Sequence, residues 1–197
     1  MTTTIPLSVT LHLHPSQSSH HKLTTLLQSG FLQPINGQIS ITDLLVSLPG
    51  FDLPYLEERV QTIFVNGLAE DDIYRQLADG DTLALSAAMP GLAGAIFRRG
   101  GQHASLRTKL KKNTSIPSKN TGYVTLKLFN MIARETGPEL LRNGILIKGK
   151  NLSGFLERQK KDAKDLLQKI EVDGVKTTYP ELLSLIADQD VLSLHSK

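Results

Sequence analysis

The sequence of 197 residues contains no cysteine, few aromatic residues and no long apolar run. The lack of cysteine excludes disulfide bonds, thiolate nucleophiles and Cys-ligated zinc, and it fits a reducing compartment. No apolar run approaches the roughly 20 residues that a membrane-spanning helix needs. The N-terminal MTTTIPLSVTLHLHP lacks both the basic start and the unbroken apolar core of a signal peptide. Together these absences predict a soluble cytoplasmic protein without membrane partners.

Sequence motifs of common enzyme classes are also missing. There is no P-loop, no nucleophile elbow and no glycine-rich dinucleotide fingerprint. His12, His14, His20 and His21 could in principle ligate a metal, but histidines two apart on a strand usually face solvent, and no carboxylate is positioned with them. We therefore predict a protein that is not an enzyme and that holds no metal or cofactor.

Acidic residues are absent from positions 82–134, which carry nine basic side chains. By contrast, positions 1–81 carry nine acidic and three basic residues, and positions 135–197 carry ten of each. The small net charge of +3 therefore hides a strongly basic middle region.

Within this region, the Ser-, Lys- and Gly-containing stretch 96–121 has the composition of a linker. It could be a solvated tether or a docking strip for an acidic protein partner. Nucleic acid is disfavoured as a partner, because no aromatic residue lies between Phe97 and Tyr123 to stack on bases. The candidate docking residues are Arg98, Arg99, Arg107, Lys109, Lys111 and Lys112.

The two halves of the chain carry the same order of strand and turn signals. LSVTLHLH from Leu7 and YVTLKLF from Tyr123 alternate apolar and polar residues, which predicts half-buried strands. Asn66-Gly67 and Asp173-Gly174 are signals of two-residue β-hairpins, and an alternating strand follows each of them, DTLALS and DVLSLH. We interpret the chain as a tandem repeat of one small α+β unit. The predicted boundaries are domain 1 at 1–95, a linker at 96–121 and domain 2 at 122–197.

One main helix is predicted in each half. In the second half, NLSGFLERQKKDAKDLLQKI places its apolar residues on one stripe, which predicts a helix over 151–169 with Asn151 as its N-cap. In the first half, SITD from Ser40 has the pattern of a capping box with Asp in place of Glu, and it predicts a shorter helix before Pro49-Gly50.

Three stretches resemble the β-grasp, ubiquitin-like sulfur carriers, which include the small subunit of molybdopterin synthase and the thiamine-biosynthesis sulfur carrier. They are VTLKLFNMIARETG (124–137), FVNG…LADGDTLALSAAMPGLAG (64–94) and VDG…ADQDVLSL (172–194). The resemblance implies an α+β fold with two tandem β-grasp domains, each a mixed twisted sheet packed on one main helix. First and last strands would lie parallel at the centre of each sheet, with Leu126 and Leu192 in the cores.

In this family the chemistry takes place at a mobile C-terminal Gly-Gly, which an activating enzyme adenylates and converts to a thiocarboxylate. The present sequence departs from that pattern. Gly100-Gly101 is followed by 96 more residues, Gly91 and Gly94 occur singly in PGLAGA, and the chain ends in LSLHSK. The carrier-tail candidates are therefore Gly91, Gly94, Gly100 and Gly101, none of which bears a carboxylate in the intact chain.

Three functions are compatible with these observations. The protein could have lost the carrier role and kept a protein-binding surface, acting as an adaptor for an enzyme that carries a molybdenum or tungsten pterin cofactor, or for its biosynthesis. It could be a sulfur carrier that is cleaved behind Gly101 and then recognised by a carrier-activating enzyme. Alternatively, it could be a β-grasp interaction module with an unrelated role. In the intact chain, Gly100 and Gly101 are expected to form a hinge.

Overall fold

The computed structural model describes residues 7–13, 17–107, 121–162, 166–187 and 189–197. Among them, no helix combines the length and the apolar character needed to cross a membrane. The described residues form mixed β-sheet together with several helices, so the protein has a mixed α and β fold.

The chain alternates short strands and helices. The strands are β1 Leu7–Leu13, β2 Phe31–Asn36, β3 Ile39–Ser40, β4 Thr62–Val65, β5 Leu68–Ala69, β6 Gln76–Leu77, β7 Thr82–Ser86, β8 Thr121–Leu128, β9 Ile145–Ile147, β10 Leu167–Val172, β11 Val175–Thr177 and β12 Leu192–Ser196. The α-helices are α1 Gln17–Thr24, α2 Ile41–Val46, α3 Leu53–Glu58, α4 Gly91–Phe97, α5 Asn130–Asn143, α6 Gly149–Arg158 and α7 Tyr179–Ala187. Short 3₁₀ helices span Thr25–Gln28 and Gln102–Leu106.

These elements group into two compact units that do not coincide with the two halves of the sequence. The terminal unit comprises Met1–Leu32 and Gly137–Lys197, and the central unit comprises Gln33–Thr136. The boundaries expected from the sequence repeat (1–95, 96–121 and 122–197) come from the order of strand and turn patterns along the chain. The two units are instead defined by which residues contact one another in the folded protein.

In the terminal unit, β1 lies between a parallel and an antiparallel neighbour. It pairs in parallel with β12, with Leu7 opposite Leu192, and antiparallel with β10, with Val9 opposite Val172. β12 also pairs antiparallel with β9, and β10 forms a hairpin with β11. Buried apolar residues of the central strands and of α6 and α7 make up the core: Val9, Leu11, Leu192, Leu194, Leu152, Phe155, Leu182 and Ile186.

In the central unit, β7 has the equivalent position. It pairs in parallel with β8, with Leu83 opposite Leu126, and antiparallel with β4, with Leu83 opposite Val65. The core combines one face of these strands with side chains of α2 and α3: Ile63, Val65, Leu83, Leu85, Leu126, Leu128, Leu44, Leu45 and Leu56. The expected burial of Leu126 and Leu192 is confirmed, since neither is exposed.

Both predicted hairpin turns are confirmed. Asn66-Gly67 connects β4 to β5 with φ values of 52° and 79°, and Asp173-Gly174 connects β10 to β11 with 49° and 80°. Positive φ at both central residues is the type I′ geometry that suits the strand twist and favours Asn or Asp followed by Gly. Each tip also binds a central strand: the Asn66 side chain accepts from the Thr82 amide at 2.8 Å, and Asp173 accepts from the Ser8 amide at 2.9 Å.

The parallel partner of each first strand comes from the opposite half of the sequence. β1 of the first half pairs with β12 of the second, and β8 of the second half pairs with β7 of the first. The expected parallel pairing is therefore present, but not within one half, as the tandem-repeat interpretation implied. The reason is that alternation determines which face of a strand is buried and not which partner it takes. DTLALS and DVLSLH have the same alternation.

The helix predicted over 151–169 is wrong in its extent and in its cap. α6 spans Gly149–Arg158, and the chain enters strand β10 at Leu167, because the last apolar residues of the predicted stripe pair with β1 instead. Tertiary pairing overrides a helical pattern of this strength. Asn151 lies inside the helix, where its side-chain amide donates to the carbonyls of Ser29 (3.2 Å) and Gly30 (3.1 Å).

The helix start at Ser40 is confirmed, whereas a second helix was missed. Ser40 Oγ accepts from the Asp43 amide at 3.0 Å, and α2 follows. The stretch NMIARETG is not among the predicted helices, but it begins the 14-residue helix α5. Glu135 of this helix accepts from the Tyr55 hydroxyl at 2.7 Å and from the Arg59 guanidinium. The hydrogen bond from Arg59 holds the pKa of the Glu135 carboxyl below its ordinary value.

Candidate partner-binding site

The glycines proposed as a carrier tail lie in folded chain of the central unit. Gly91 begins helix α4 with a φ of +71°, and Gly94 lies inside that helix. A Cβ at Gly94 would stand 1.7 Å from the Met89 carbonyl oxygen, so only glycine lets α4 approach the chain before it. The stretch GLAGA, for which no helix is predicted from the sequence, forms most of this seven-residue helix.

Gly100 and Gly101 form a hydrogen-bonded turn. Gly100 has a φ of +63°, and its amide donates to Asp71 Oδ1 at 3.2 Å. The Gly101 amide donates to the Arg98 carbonyl at 3.0 Å, and the Arg99 amide donates to the Gln61 carbonyl at 2.7 Å. The Gly-Gly pair is thus held by hydrogen bonds to residues of the central unit, whereas the sequence predicts a hinge at this position. The linker expected at 96–121 contains the end of α4, the Gly-Gly turn and the 3₁₀ helix Gln102–Leu106, and its last residue begins β8. Its positions 108–120 lie outside the described residues.

Two of the candidate docking arginines bind their own chain. Arg107 donates to Asp71 Oδ2 at 2.8 Å and to the Ile96 carbonyl at 2.8 Å, and its side chain is only 10% exposed. Arg99 donates to the carbonyls at positions 56 and 57, each at 3.0 Å, and its buried Nη1 has no hydrogen-bond partner among the described residues. Arg98 is exposed. Lys109, Lys111 and Lys112 lie outside the described residues.

An apolar groove opens on the sheet face of the central unit that points away from the core. Phe64 of β4 lies opposite Ala84 of β7, which lies opposite Lys127 of β8, so the three side chains form one row across three strands. We call this the outer-face groove; its volume is about 400 Å³. Its lining is completed by Gly67, Thr82, Leu85, Ser86, Met89, Phe129 and Asn130.

Two contacts hold side chains of the groove lining in place. The Phe64 ring packs against Phe97 of α4, with ring centroids 5.3 Å apart. Asn130, with a φ of +52°, donates from its side chain to Ser86 Oγ at 3.0 Å.

The groove was missed at the level of sequence. A signal was present, because the run Ile63-Phe64-Val65 is apolar at all three positions, whereas a half-buried strand should carry a polar residue at the middle one. Phe64 is the residue that breaks the alternation, and it lines the groove.

Beside the groove, a smaller cavity of about 140 Å³ lies between α4 and the end of β4. Thr62 lines it, is 1% exposed, and its hydroxyl has no hydrogen-bond partner among the described residues. A buried hydroxyl without a partner loses its hydration and gains no bond in exchange.

Thr62→Val should therefore leave the free energy of unfolding unchanged or raise it by up to about 1 kcal/mol. Thr136→Val is the matched control: Thr136 is also 1% exposed, but its hydroxyl donates to the Ile132 carbonyl at 2.9 Å, so this variant should lose stability. Urea unfolding of both variants measures the difference. A loss for Thr62→Val as large as that for Thr136→Val would mean that the Thr62 hydroxyl binds an ordered water in the cavity.

Of the four histidines considered as metal ligands, the structure describes three, and they lie on two different elements. The expectation that no carboxylate is positioned with these histidines is wrong for His12, because its Nε2 lies 2.7 Å from Glu171 Oε2 on the paired strand β10. Lys169, and to a lesser extent His12, lowers the pKa of the Glu171 carboxyl. His20 and His21 lie on α1, and His14 lies outside the described residues. In the part of the chain that the structure describes, no three His, Cys, Asp or Glu side chains are grouped to hold a metal ion.

Comparison of the chain with protein-family models, with curated proteins and with solved structures gave no match.

Proposed function

We propose that the protein is a non-catalytic binding module built from β-grasp-like units, and that its role is to dock on a protein partner rather than to carry sulfur. The β-grasp interpretation is supported in each unit by a parallel pair of central strands. In the terminal unit β1 and β12 lie between the antiparallel neighbours β10 and β9, and in the central unit β7 pairs in parallel with β8 and antiparallel with β4. The expected partner is an enzyme with a molybdenum or tungsten pterin cofactor, or a protein of its biosynthesis, as the resemblance to sulfur carriers implies.

The observation that carries this function is the anchoring of Gly100 and Gly101. A carrier tail must be mobile and must end in a carboxylate, because that carboxylate attacks ATP. Here the Gly101 carbonyl belongs to a peptide bond, and the turn is held by hydrogen bonds to Asp71, Gln61 and Arg98. The outer-face groove of the same unit offers an apolar surface for docking.

Capture of partners from the native cell tests the proposed partner class. The intact, tagged chain should retain a protein fraction that contains molybdenum or tungsten, as measured by elemental analysis, together with the fluorescence of oxidised pterin. A captured protein without metal or pterin would instead favour the interaction module of unrelated role. A tagged chain with a proline at Gly67 (Gly67→Pro), which breaks the hairpin turn beside the groove, is a negative control for capture by the folded central unit.

The full-length chain should support no ATP–pyrophosphate exchange with a carrier-activating enzyme, because an amide cannot be adenylated. The matched comparison is the same protein nicked directly behind Gly101 with both pieces retained, which has a free carboxylate. Exchange with the intact chain would contradict the proposed function. ATP–pyrophosphate exchange with the nicked chain, together with a native fragment shown by its mass to end at Gly101, would establish that the protein is a cleaved sulfur carrier and not the proposed binding module.

A further inference from the structure

The outer-face groove has the composition of a recognition site. Phe64, Ala84, Met89 and Phe129 supply apolar surface that is only partly buried, on a face that a soluble sheet normally covers with polar side chains. A groove of about 400 Å³ can hold one or two large apolar side chains of a partner. Burying this surface would be favourable in proportion to the apolar area removed from water.

One charged side chain lines the groove, and its charge is not balanced. Lys127 is half-buried and forms no ion pair among the described residues. The nearest acid in sequence to the lining strands is Asp81, whose two carboxylate oxygens already accept from Asn66 Nδ2 (2.7 Å) and the Ala78 amide (2.8 Å). Among the described residues, the Lys127 ammonium beside this apolar surface thus has no carboxylate partner.

Two of the three strands in the groove row come from a segment of the sequence without acidic residues. β7, β8 and the first residues of α5 fall within positions 82–134, which contain no acidic residue. Charge complementarity therefore favours an acidic occupant, because opposite potentials steer association and like charges oppose it. The row Phe64–Ala84–Lys127 places the apolar surface and the cation next to each other on successive strands.

We propose that the outer-face groove binds an acidic segment of a partner protein, in which a bulky apolar side chain flanked by Asp or Glu enters the groove and a carboxylate pairs with Lys127. This inference rests on the proposed binding role and specifies the chemistry of the partner. A protein segment fits better than a free small molecule, because the groove runs across an open sheet face, whereas small-molecule sites enclose most of their ligand.

The test uses the full chain and the fluorescently labelled peptide Asp-Glu-Phe-Asp-Glu-Leu. Fluorescence anisotropy should show saturable binding that weakens as salt is added. The peptide with Asn and Gln in place of its acids, and the peptide with Ala in place of Phe and Leu, should each bind more weakly. Amide chemical shifts of Phe64, Ala84 and Lys127 should change during the titration.

Lys127→Gln should weaken binding by about fivefold, the upper range for one exposed ion pair, and reduce its salt dependence. Lys127→Arg should restore it to within about twofold, since the charge is kept. Arg134→Gln, which removes an exposed cation of the same basic region, is the matched control and should bind like the unchanged protein.

Three results would overturn the inference. They are equal binding by the uncharged peptide, unchanged binding by Lys127→Gln, and shift changes confined to residues outside the groove. Binding of phenylpropanoate as tight as that of the peptide would overturn the choice of a protein segment in favour of a small carboxylic acid. The proposed function and the groove can fail separately. If native capture yields a partner without molybdenum or tungsten, the proposed partner class is rejected and the peptide result stands. If Lys127→Gln leaves native capture unaffected, only the groove is rejected.

Discussion

Expressed separately, residues 1–107 and residues 121–197 should each fail to fold, and mixing the two pieces should restore the native structure. The reason is that each parallel pair of central strands takes one strand from each piece. β1 needs β12 and β10 from the second piece, and β8 needs β7 from the first. A central strand without its parallel partner leaves buried backbone groups unpaired and apolar side chains exposed.

Circular dichroism and amide exchange measure this outcome directly. Each isolated piece should lack cooperative unfolding, whereas the mixture should regain it together with the protection of β1 and β8 amides. If each piece folds cooperatively alone, the parallel pairing between strands of opposite halves is contradicted. The simple tandem repeat, in which the first and last strands of each half pair with each other, would then be correct. The intact chain with a single cut between residues 107 and 121 controls for effects of the break itself.

The features predicted correctly from the sequence are those decided by neighbouring residues. The Asn66-Gly67 and Asp173-Gly174 turns follow from the need for positive φ at two successive positions. The start of α2 follows from one side chain, Ser40, that binds an amide three residues later. The core faces of the strands follow from alternation of period two.

The features that were missed depend on distant partners. Strand pairing across the halves leaves no trace in either half alone, because both final strands present the same alternating face. The stripe from Leu152 to Ile170 suits a helix locally, yet its last residues pair with β1, whose sequence lies more than 150 positions away. The alternation of a strand determines its buried face and does not identify a partner at such separation.

The candidate site also combines features that local sequence predicts with features that depend on distant residues. Charge counts alone identified the basic middle region, but they could not separate arginines that bind their own chain from those open to a partner. Arg107 is held by an acid, Asp71, 36 positions before it. Phe64 could be noticed in the sequence because it interrupts the alternation of apolar and polar residues in β4. Its neighbours Ala84 and Lys127 could not, because they lie on other strands and are brought beside Phe64 by strand pairing.

Leu192→Ala should lower the free energy of unfolding by about 2–5 kcal/mol, the range for removing a fully buried leucine from a well-packed core. Leu192 is 0% exposed and lies opposite Leu7 in the parallel pair of the terminal unit. Leu185→Ala is the matched control: Leu185 lies on α7 and is 45% exposed, so its loss should be well below that range.

The same variant also tests which strand is the partner of β12. Because β12 pairs with β1, Leu192→Ala should increase amide exchange in β1, about 180 residues earlier in the chain, more than in β8, the first strand of its own sequence half. Leu126→Ala should have the reciprocal effect and deprotect β7 rather than β12. If Leu192→Ala deprotects β8 and leaves β1 unchanged, then the parallel pairs lie within the halves and the exchanged topology is wrong. Urea unfolding followed by hydrogen exchange resolved by mass spectrometry distinguishes the two pairings, since the strands in question fall in separate peptides.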